Sequence, residues 1–176
     1  CYICESITNG SLEDVIEIDA ASNNGVDEIR DIRDKSTYAP SLAKHKVYII
    51  DEVHMLSTGA FNALLKTLEE PTENVVFILA TTELHKIPAT ILSRVQRFEF
   101  KSIKLPDIVQ HLENILATEE IAYEADAVQI IARRAEGGMR DALSILDQAL
   151  SLTAGSELTT AIAEEITGSI SLAALD

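Results

Sequence analysis

The sequence lacks any hydrophobic run long enough to cross a bilayer. Its longest uninterrupted apolar stretch, residues 75–80, has six residues, whereas a membrane-spanning helix needs about 20. No secretory or transit segment opens the chain, which begins with Cys and not with Met. We therefore expect a cytoplasmic protein with no membrane partner, and we interpret the chain as a piece of a longer protein.

Cysteine is almost absent. Its two occurrences, Cys1 and Cys4, both lie at the start of the chain, so the sequence cannot build a disulfide framework, and a reducing cytosol is expected. A Cys-x-x-Cys pair is half of a common zinc-binding spacing, and a redox pair is the alternative. With two thiols and no nearby His, the chain by itself cannot complete a tetrahedral zinc site.

Positive charge is also scarce, with 14 basic against 29 acidic residues and a net charge of −15. This balance argues against a whole surface that attracts DNA phosphates, so any DNA contact needs a local basic patch or another subunit. The deficit is uneven, because residues 103–176 hold 4 basic and 13 acidic groups. We expect this second part to be a separate, more acidic module.

Short apolar runs alternate with amphipathic helical patterns in the first part of the chain, which predicts an α/β fold with a parallel sheet covered by helices on both faces. The strands are expected at 15–18, 47–50, 75–79 and 97–100. The helices are expected at 26–36, from Ser57 or Thr58 to Pro71, and at 87–92. After Pro106 the pattern predicts helices alone, at 106–118, 124–136, 139–152 and 159–167.

Two adjacent acids, Asp51 and Glu52, directly follow the second predicted strand. In open α/β sheets, ligands bind beyond the carboxyl ends of the strands. One acid there can act on Mg²⁺ while the other orients a water for phosphoryl transfer. A solvated acidic turn is the alternative, and residues 47–52 alone favour neither.

Two further polar features fall at or near the same predicted edge. Thr81 and Thr82 follow the strand at 75–79, and a hydroxyl there could hold the attacking water or contact a γ-phosphate. Arg94 follows the short helix and suits a bidentate phosphate contact. Each feature has an alternative, a helix cap for the threonines and a surface ion pair for Arg94. Taken together, the three features favour a phosphate-processing site.

Four blocks of the sequence are far more specific than any single motif: EIDAASNNGVD at 17–27, DEVHML at 51–56, FNALLKTLEEP at 61–71 and LSR at 92–94. They closely resemble the bacterial clamp-loader gamma/tau subunits of DNA polymerase III, which are AAA+ ATPases, and the resemblance extends over essentially the whole chain. It implies an incomplete AAA+ parallel sheet followed by a small all-α lid. The expected domains are 1–102 for the partial ATPase domain, 103–167 for the lid, and 168–176 for the start of a linker to a collar domain.

The resemblance also implies roles at the sheet edge. Asp51 would act on Mg²⁺ through water, and Glu52 would polarise the water that attacks ATP. Thr82 would be the sensor 1 residue, which senses the γ-phosphate, with Thr81 as the less favoured choice. His54 is interpreted as a packing or polar-network residue, because nothing else in the chain resembles the helicases that share its Asp-Glu-x-His pattern.

Further roles are implied outside that edge. Arg94 would be the arginine finger that reaches the ATP of a neighbouring subunit, although Val95 replaces the Cys of the family's Ser-Arg-Cys motif. Arg140 would be the sensor 2 residue of the lid and would contact nucleotide, the alternative being a surface ion pair. Cys1 and Cys4 would be the last two ligands of a four-cysteine zinc module.

The phosphate-cradling motif Gly-x-x-x-x-Gly-Lys-Ser/Thr does not occur in this sequence. The family places that loop and its strand upstream, so we expect this chain alone not to hydrolyse ATP. In the family's strand order the absent strand lies between those at 75–79 and 97–100. We expect these two strands to close up, to rearrange or to borrow a strand from another copy.

The resemblance implies an ATPase subunit that couples ATP binding and hydrolysis to loading of the sliding clamp on primed DNA. Its cofactors would be ATP, Mg²⁺ and Zn²⁺. We expect this chain to hold a complete binding site for none of them. Its partners would be the delta and delta-prime subunits, further gamma/tau copies, the sliding clamp, the polymerase III core and DNA. A non-catalytic stator resembling delta-prime is the alternative, although a stator has no need for Glu52. A motor resembling the Holliday-junction helicase is a third interpretation, but it does not explain the cysteine pair.

Overall fold

The computed structural model describes residues 1–173, with side chains for 1–168. The chain divides into two compact units, residues 1–98 and the residues from 99 onward. The first unit contains the strands and helices α1 Tyr2–Thr8, β1 Val15–Asp19, α2 Val26–Ser36, β2 Lys46–Asp51, α3 Thr58–Glu69, β3 Val75–Leu79 and α4 Ala89–Leu92, with short 3₁₀ turns at Val53–Met55 and Leu84–Lys86. The second contains α5 Leu105–Thr118, α6 Ala125–Arg134, α7 Met139–Thr153 and α8 Thr160–Ala173.

The three strands form a parallel sheet in the order β1-β2-β3. The register pairs Ile18 with Ile50 and Ile50 with Leu79, so all three strands finish at the same edge. The β-branched and aromatic residues of these segments suit a pleated, buried surface. The predicted α/β class with a parallel sheet is confirmed.

One face of the sheet carries the core of the first unit. Tyr48 and Ile50 of β2 are fully buried against Ile29 of α2 and Leu64 of α3. Helix α3 begins where the sequence predicts, because the Ser57 hydroxyl accepts the N–H of Ala60 at 3.1 Å. This packing fixes β2 firmly, and with it the position of the acids that follow.

The other face of the sheet is more open than the sequence pattern predicts. Val76 and Ile78 of β3 are 42% and 48% exposed, and they lie beside Val47 and Ile49 of β2. The described residues therefore leave an apolar strip on this face partly accessible to water.

The predicted strand at 97–100 is wrong: these residues have no regular structure. A strand requires a hydrogen-bonded neighbour, and within residues 1–173 no segment pairs with 97–100. The alternation of Phe98 and Phe100 remains, but both rings are exposed, at 77% and 95%. Nor do β3 and 97–100 close up against each other, since β2 is the sole partner of β3 in the described chain.

Helix α1 is not anticipated by the sequence analysis. It has seven residues and no side-chain cap at Cys1, so neither length nor capping signals it. A hydrogen bond from the buried Ser6 hydroxyl to the carbonyl of Tyr2, at 2.8 Å, supports it. Cys4 lies in the first turn of the helix, and Cys1 is its N-cap residue.

The second unit is helical, as predicted. Its core comes from apolar residues at helical spacing, including Ile108, Leu112, Val128, Ile131 and Leu146. None of the helices within the described residues is long and apolar enough to span a membrane.

Helix α8 departs from the sequence expectation at its end. It continues through Gly168 to Ala173, whereas a linker is expected from Gly168. A single glycine costs a helix only about 1 kcal/mol, so it need not end one. The remainder of the expected linker, residues 174–176, lies outside the described residues.

Candidate functional site at the carboxyl edge of the sheet

Asp51 and Glu52 form a sharp turn at the end of β2. Asp51 is exposed, and its Oδ1 accepts the backbone N–H of Glu52 at 2.9 Å. Its second oxygen has no partner among the described residues, which fits a carboxylate that holds a water on a metal ion.

Glu52 has a left-handed backbone, with φ 52° and ψ 41°. This conformation costs an L-residue with a Cβ roughly 1–2 kcal/mol. Such strain persists where the surrounding structure imposes it, and it is concentrated at functional sites. Asn74, Glu120, Glu136 and Ala154 also have positive φ values, so this backbone sets the direction of the Glu52 side chain and does not by itself assign it a function.

Backbone hydrogen bonds join this turn to the end of β3. The N–H of Ala80 donates to the carbonyl of Ile50, and the N–H of Val53 donates to the carbonyl of Ala80, both at 3.0 Å. The structure therefore brings the two acids and the Thr81-Thr82 pair to one edge, as the parallel-sheet prediction requires. Their chemical roles stay a prediction.

His54 lies at the centre of a polar network on this edge. Its side chain is only 4% exposed. The Nδ1 atom is 2.8 Å from Thr81 Oγ1, and Nε2 is 3.3 Å from both Glu52 Oε2 and Glu83 Oε2. The sequence predicts a packing or polar-network residue at His54, and the structure shows the polar network and identifies its partners.

Two contacts fix the loop that follows β3. The N–H of Glu83 donates to Thr81 Oγ1 at 2.9 Å, and Lys86 Nζ donates to Glu83 Oε2 at 2.9 Å. The hydrogen bond from Lys86 holds the pKa of Glu83 below its usual value. Glu83 is therefore an ionised partner for His54 near neutral pH.

The two threonines differ in their surroundings. Thr81 takes part in the His54 network, whereas Thr82 is exposed and makes no side-chain hydrogen bond within the described chain. The Thr82 hydroxyl is thus available to a ligand, while the Thr81 hydroxyl is engaged. This difference is compatible with the sequence preference for Thr82 as sensor 1.

Arg94 makes a definite contact within the chain. Its guanidinium Nη2 lies 2.8 Å from Glu69 Oε1 at the end of α3. Its Nη1 donates to the Ser93 hydroxyl at 2.9 Å and to the Thr90 carbonyl at 3.1 Å. The Arg94 side chain is 37% exposed. Arg94 thus forms a surface ion pair and is also accessible to a neighbouring molecule.

Arg140 lies in the first turn of α7 and is exposed. In the described part of the chain it forms no ion pair with Asp141 or Glu136, so the ion-pair alternative is not observed. The N-cap of the helix is Gly138, and the preceding Gly137 has a φ of +85°. The guanidinium is free to meet an anion.

Cys1 and Cys4 lie with their sulfur atoms 3.6 Å apart, and both are exposed. Two thiolates on one tetrahedral zinc ion, each about 2.3 Å from it, are about 3.8 Å apart. The pair thus fits half of a zinc site. Among the described residues no group of three or more possible ligands is found, so further ligands would have to come from elsewhere.

Comparison with protein families identifies both units. Residues 1–104 match the family described as DNA polymerase III, delta subunit. Residues 107–155 match the family described as DNA polymerase III clamp loader subunit, ATPase lid domain. The two matches together cover most of the chain.

Similar curated proteins are DNA polymerase III subunits. The chain is 63% identical over 171 residues to subunit tau of Bacillus subtilis, covering 97% of the chain and 30% of that protein. It is 52% identical over 162 residues to subunit tau of Escherichia coli, covering 92% and 25%. The chain thus spans about a quarter to a third of the length of these relatives.

Solved structures agree on the fold. The Thermotoga maritima RuvB Holliday junction branch migration motor matches with a TM-score of 0.71 at 17% identity, covering 94% of this chain and 56% of that one. A gamma-subunit-related protein of DNA polymerase III from Thermotoga maritima matches with a TM-score of 0.52 at 28% identity, covering 87% and 55%. The first of these likenesses concerns the AAA+ fold alone.

Proposed function

Since the chain belongs to the DNA polymerase III clamp-loader family, and within it to the gamma/tau subunits, we propose that it forms part of an ATPase that loads the sliding clamp on primed DNA. ATP binding between subunits would open the clamp, and hydrolysis would release it onto DNA. The observation that carries the proposal is the strained Asp51-Glu52 turn beside the threonines at the carboxyl edge of the sheet.

The two acids would divide the chemistry. Mg²⁺, when bound with ATP, neutralises charge on the phosphates. Asp51 would hold the ion through water by the carboxylate oxygen that has no partner in the described chain. Glu52 would orient the attacking water. Its left-handed backbone sets the direction in which its side chain leaves the main chain. Thr82 would contact the γ-phosphate or the water through its free hydroxyl.

Two arginines would act on phosphates from other directions. Arg94 would serve as the finger for the ATP of a neighbouring subunit, after leaving Glu69, and such a finger contributes about 10³- to 10⁵-fold in rate. Arg140 would be the sensor 2 residue of the lid. We assign residues 1–102 to the partial ATPase domain, 103–167 to the lid, and the residues from 168 to its connection with a collar domain.

The assembly would take its remaining parts from outside this chain. The phosphate-cradling loop is absent from this sequence, so ATP would need residues supplied by the longer protein. Cys1 and Cys4 would contribute two ligands to a zinc ion. Partners would be the delta and delta-prime subunits, further gamma/tau copies, the sliding clamp, the polymerase core and primed DNA, all in the cytoplasm.

A second candidate is a non-catalytic stator resembling delta-prime, and the match of residues 1–104 to a delta-subunit family favours it. The pair of acids Asp51 and Glu52 at the carboxyl edge argues against it, because a stator has no need for a water-polarising acid.

The test is Glu52→Gln in the full-length protein, assembled with its partner subunits and primed DNA. We expect nucleotide binding to persist and turnover to fall by at least about 10²-fold, because the amide cannot polarise water as a carboxylate does. Glu73→Gln, at an exposed position, is the control. A Glu52→Gln protein that retains turnover would identify the stator. The 176-residue chain alone should show no turnover with Mg·ATP.

A further inference from the structure

The contacts of His54 give this buried side chain a defined orientation. Carboxylates accept hydrogen bonds and, when ionised, cannot donate them. Nε2 lies 3.3 Å from the carboxylates of both Glu52 and Glu83, so the neutral tautomer that suits these contacts is the one with its proton on Nε2. The other nitrogen, Nδ1, is then the acceptor, and the Thr81 hydroxyl donates to it at 2.8 Å.

The hydrogen bonds of Thr81 complete this arrangement without conflict. Its oxygen accepts the backbone N–H of Glu83 at 2.9 Å, which leaves the hydroxyl hydrogen for His54. The ring is thus held on one side by the loop after β3, and its Nε2 faces the carboxylates of Glu52 and Glu83, each 3.3 Å away. With only 4% of its side chain exposed, His54 has little freedom to turn away.

Glu52 needs such a support. Its side chain is 41% exposed, and a glutamate with three side-chain torsions loses considerable rotamer freedom when it is held in one position. Within the described residues, His54 is the single side chain in contact with its carboxylate. A carboxylate that orients water must be held within a fraction of an ångström to act efficiently.

We propose that His54 is a positioning residue for ATP hydrolysis, which fixes the carboxylate of Glu52 and joins it through Thr81 to the loop that carries Thr82. This inference rests on the proposed role of Glu52. It gives His54 a part in turnover without contact with nucleotide, and it couples the two elements that would meet the attacking water.

Two isosteric variants separate positioning from structural support. In His54→Gln the side-chain amide nitrogen lies near the site of Nε2 and can still donate to Glu52. In His54→Asn the side-chain oxygen lies near the site of Nδ1 and can still accept from Thr81, but the contact with Glu52 is lost. His54→Ala removes both contacts, and His111→Asn, at an exposed position on α5, is the control.

The experiment measures kcat and KM for ATP in the full-length assembled protein, together with the affinity for a non-hydrolysable ATP analogue. We expect kcat to fall about 10- to 100-fold in His54→Ala and His54→Asn, in line with a misplaced reacting group. We expect His54→Gln to recover most of the loss and analogue affinity to change less than about 2-fold throughout. Thermal unfolding of each variant checks that the fold is retained.

The outcomes separate the two proposals. Recovery by Asn and not by Gln would show that His54 only supports Thr81, and equal losses in all three variants would show a packing role; either result overturns the positioning role. Normal kcat in His54→Ala, with turnover abolished in Glu52→Gln, overturns it while leaving the proposed function intact. Turnover retained in Glu52→Gln overturns both.

Discussion

The guanidinium of Arg94 lies 2.8 Å from the carboxylate of Glu69. The two side chains are 37% and 41% exposed, and ion pairs at this exposure contribute only about 0.2–1 kcal/mol. A contact of this strength orders the arginine side chain. A phosphate can still displace Glu69, because it binds a guanidinium through two charged hydrogen bonds. Glu69 would therefore act as a temporary partner for the proposed finger.

Replacing Glu69 with Gln should make Arg94 easier to recruit. We expect turnover of the assembled full-length protein to rise, by up to about 5-fold, because at most about 1 kcal/mol of competing interaction is removed. Glu70→Gln is the matched control, since the neighbouring acid has no ion pair in the described residues. A fall in turnover comparable to that of Arg94→Ala would mean that Glu69 orients the finger instead of competing for it.

Replacing Glu52 with Gly should relieve the strained backbone at the site. Relief of a left-handed residue gains roughly 1–2 kcal/mol, and the extra freedom of glycine in the unfolded chain offsets roughly 0.5–1 kcal/mol of it. We expect the free energy of unfolding to stay level or rise by up to about 1.5 kcal/mol, measured by urea denaturation, while turnover is lost. Glu120→Gly, at a φ of 55°, should show the same gain with normal turnover. A clear loss of stability in Glu52→Gly alone would assign a structural role to the carboxylate.

Asp14 should make stability depend on pH. Burial alone would raise its pKa, but the backbone N–H groups of Ala43, Leu42 and Ser41, at 2.6–2.8 Å, lower it below 3.8. A lowered pKa in the folded state means that the stabilisation is present above pH 3.8 and is lost as the pH falls toward the folded value.

In Asp14→Asn we expect the free energy of unfolding at pH 7 to fall by about 1.5–3 kcal/mol, because charged hydrogen bonds in a buried site are lost. Urea denaturation at a series of pH values measures this difference, which should shrink in acid. Glu73→Gln is the exposed control. An equal difference at pH 7 and in acid would rule out the carboxylate charge as its source.

Gly137 and Gly155 offer a matched pair for backbone strain and crowding. Their φ values are +85° and +86°, but a Cβ at Gly137 would lie 2.5 Å from the Cβ of Ser102, whereas Gly155 has nothing within 4 Å. We expect Gly155→Ala to cost about 1 kcal/mol of stability from backbone strain alone. Gly137→Ala should cost more by about 1–3 kcal/mol, as an overpacked contact does. If thermal unfolding shows equal losses of stability in Gly137→Ala and Gly155→Ala, the segment at Ser102 shifts at little cost to make room for the added methyl group.

The sequence predicts the elements whose signals are local. Runs such as 47–50 and 75–79 combine β-branched residues with clear ends, and the strands lie there. The alternation at 97–100 is equally regular, but alternation does not provide a hydrogen-bonded neighbour. Helix α1 is not predicted, because a helix of two turns without a capping side chain is too short to show a helical periodicity in the sequence.

The sequence predicts where the candidate site lies, but it does not predict the contacts between the side chains of the site. Parallel strands with a shared register necessarily bring Asp51 and Thr81 to one edge, so this proximity follows from the strand pattern. The contacts of His54 depend on side chains 27 and 29 positions away in the sequence, and no local pattern encodes them. The left-handed backbone of Glu52 is equally invisible in a residue type that rarely adopts it.

The backbone of Glu52 has a consequence for directed evolution. Both glutamate codons become glycine codons by a single nucleotide change, so a library made by random mutagenesis contains Glu52→Gly at high frequency. A screen that rewards expression or heat resistance would retain that variant, because glycine adopts a φ of 52° without the steric strain of a residue with a Cβ. Selection for robustness alone would thus enrich variants without the proposed water-polarising carboxylate, and any such screen should be paired with an assay of ATP turnover in the full-length assembled protein.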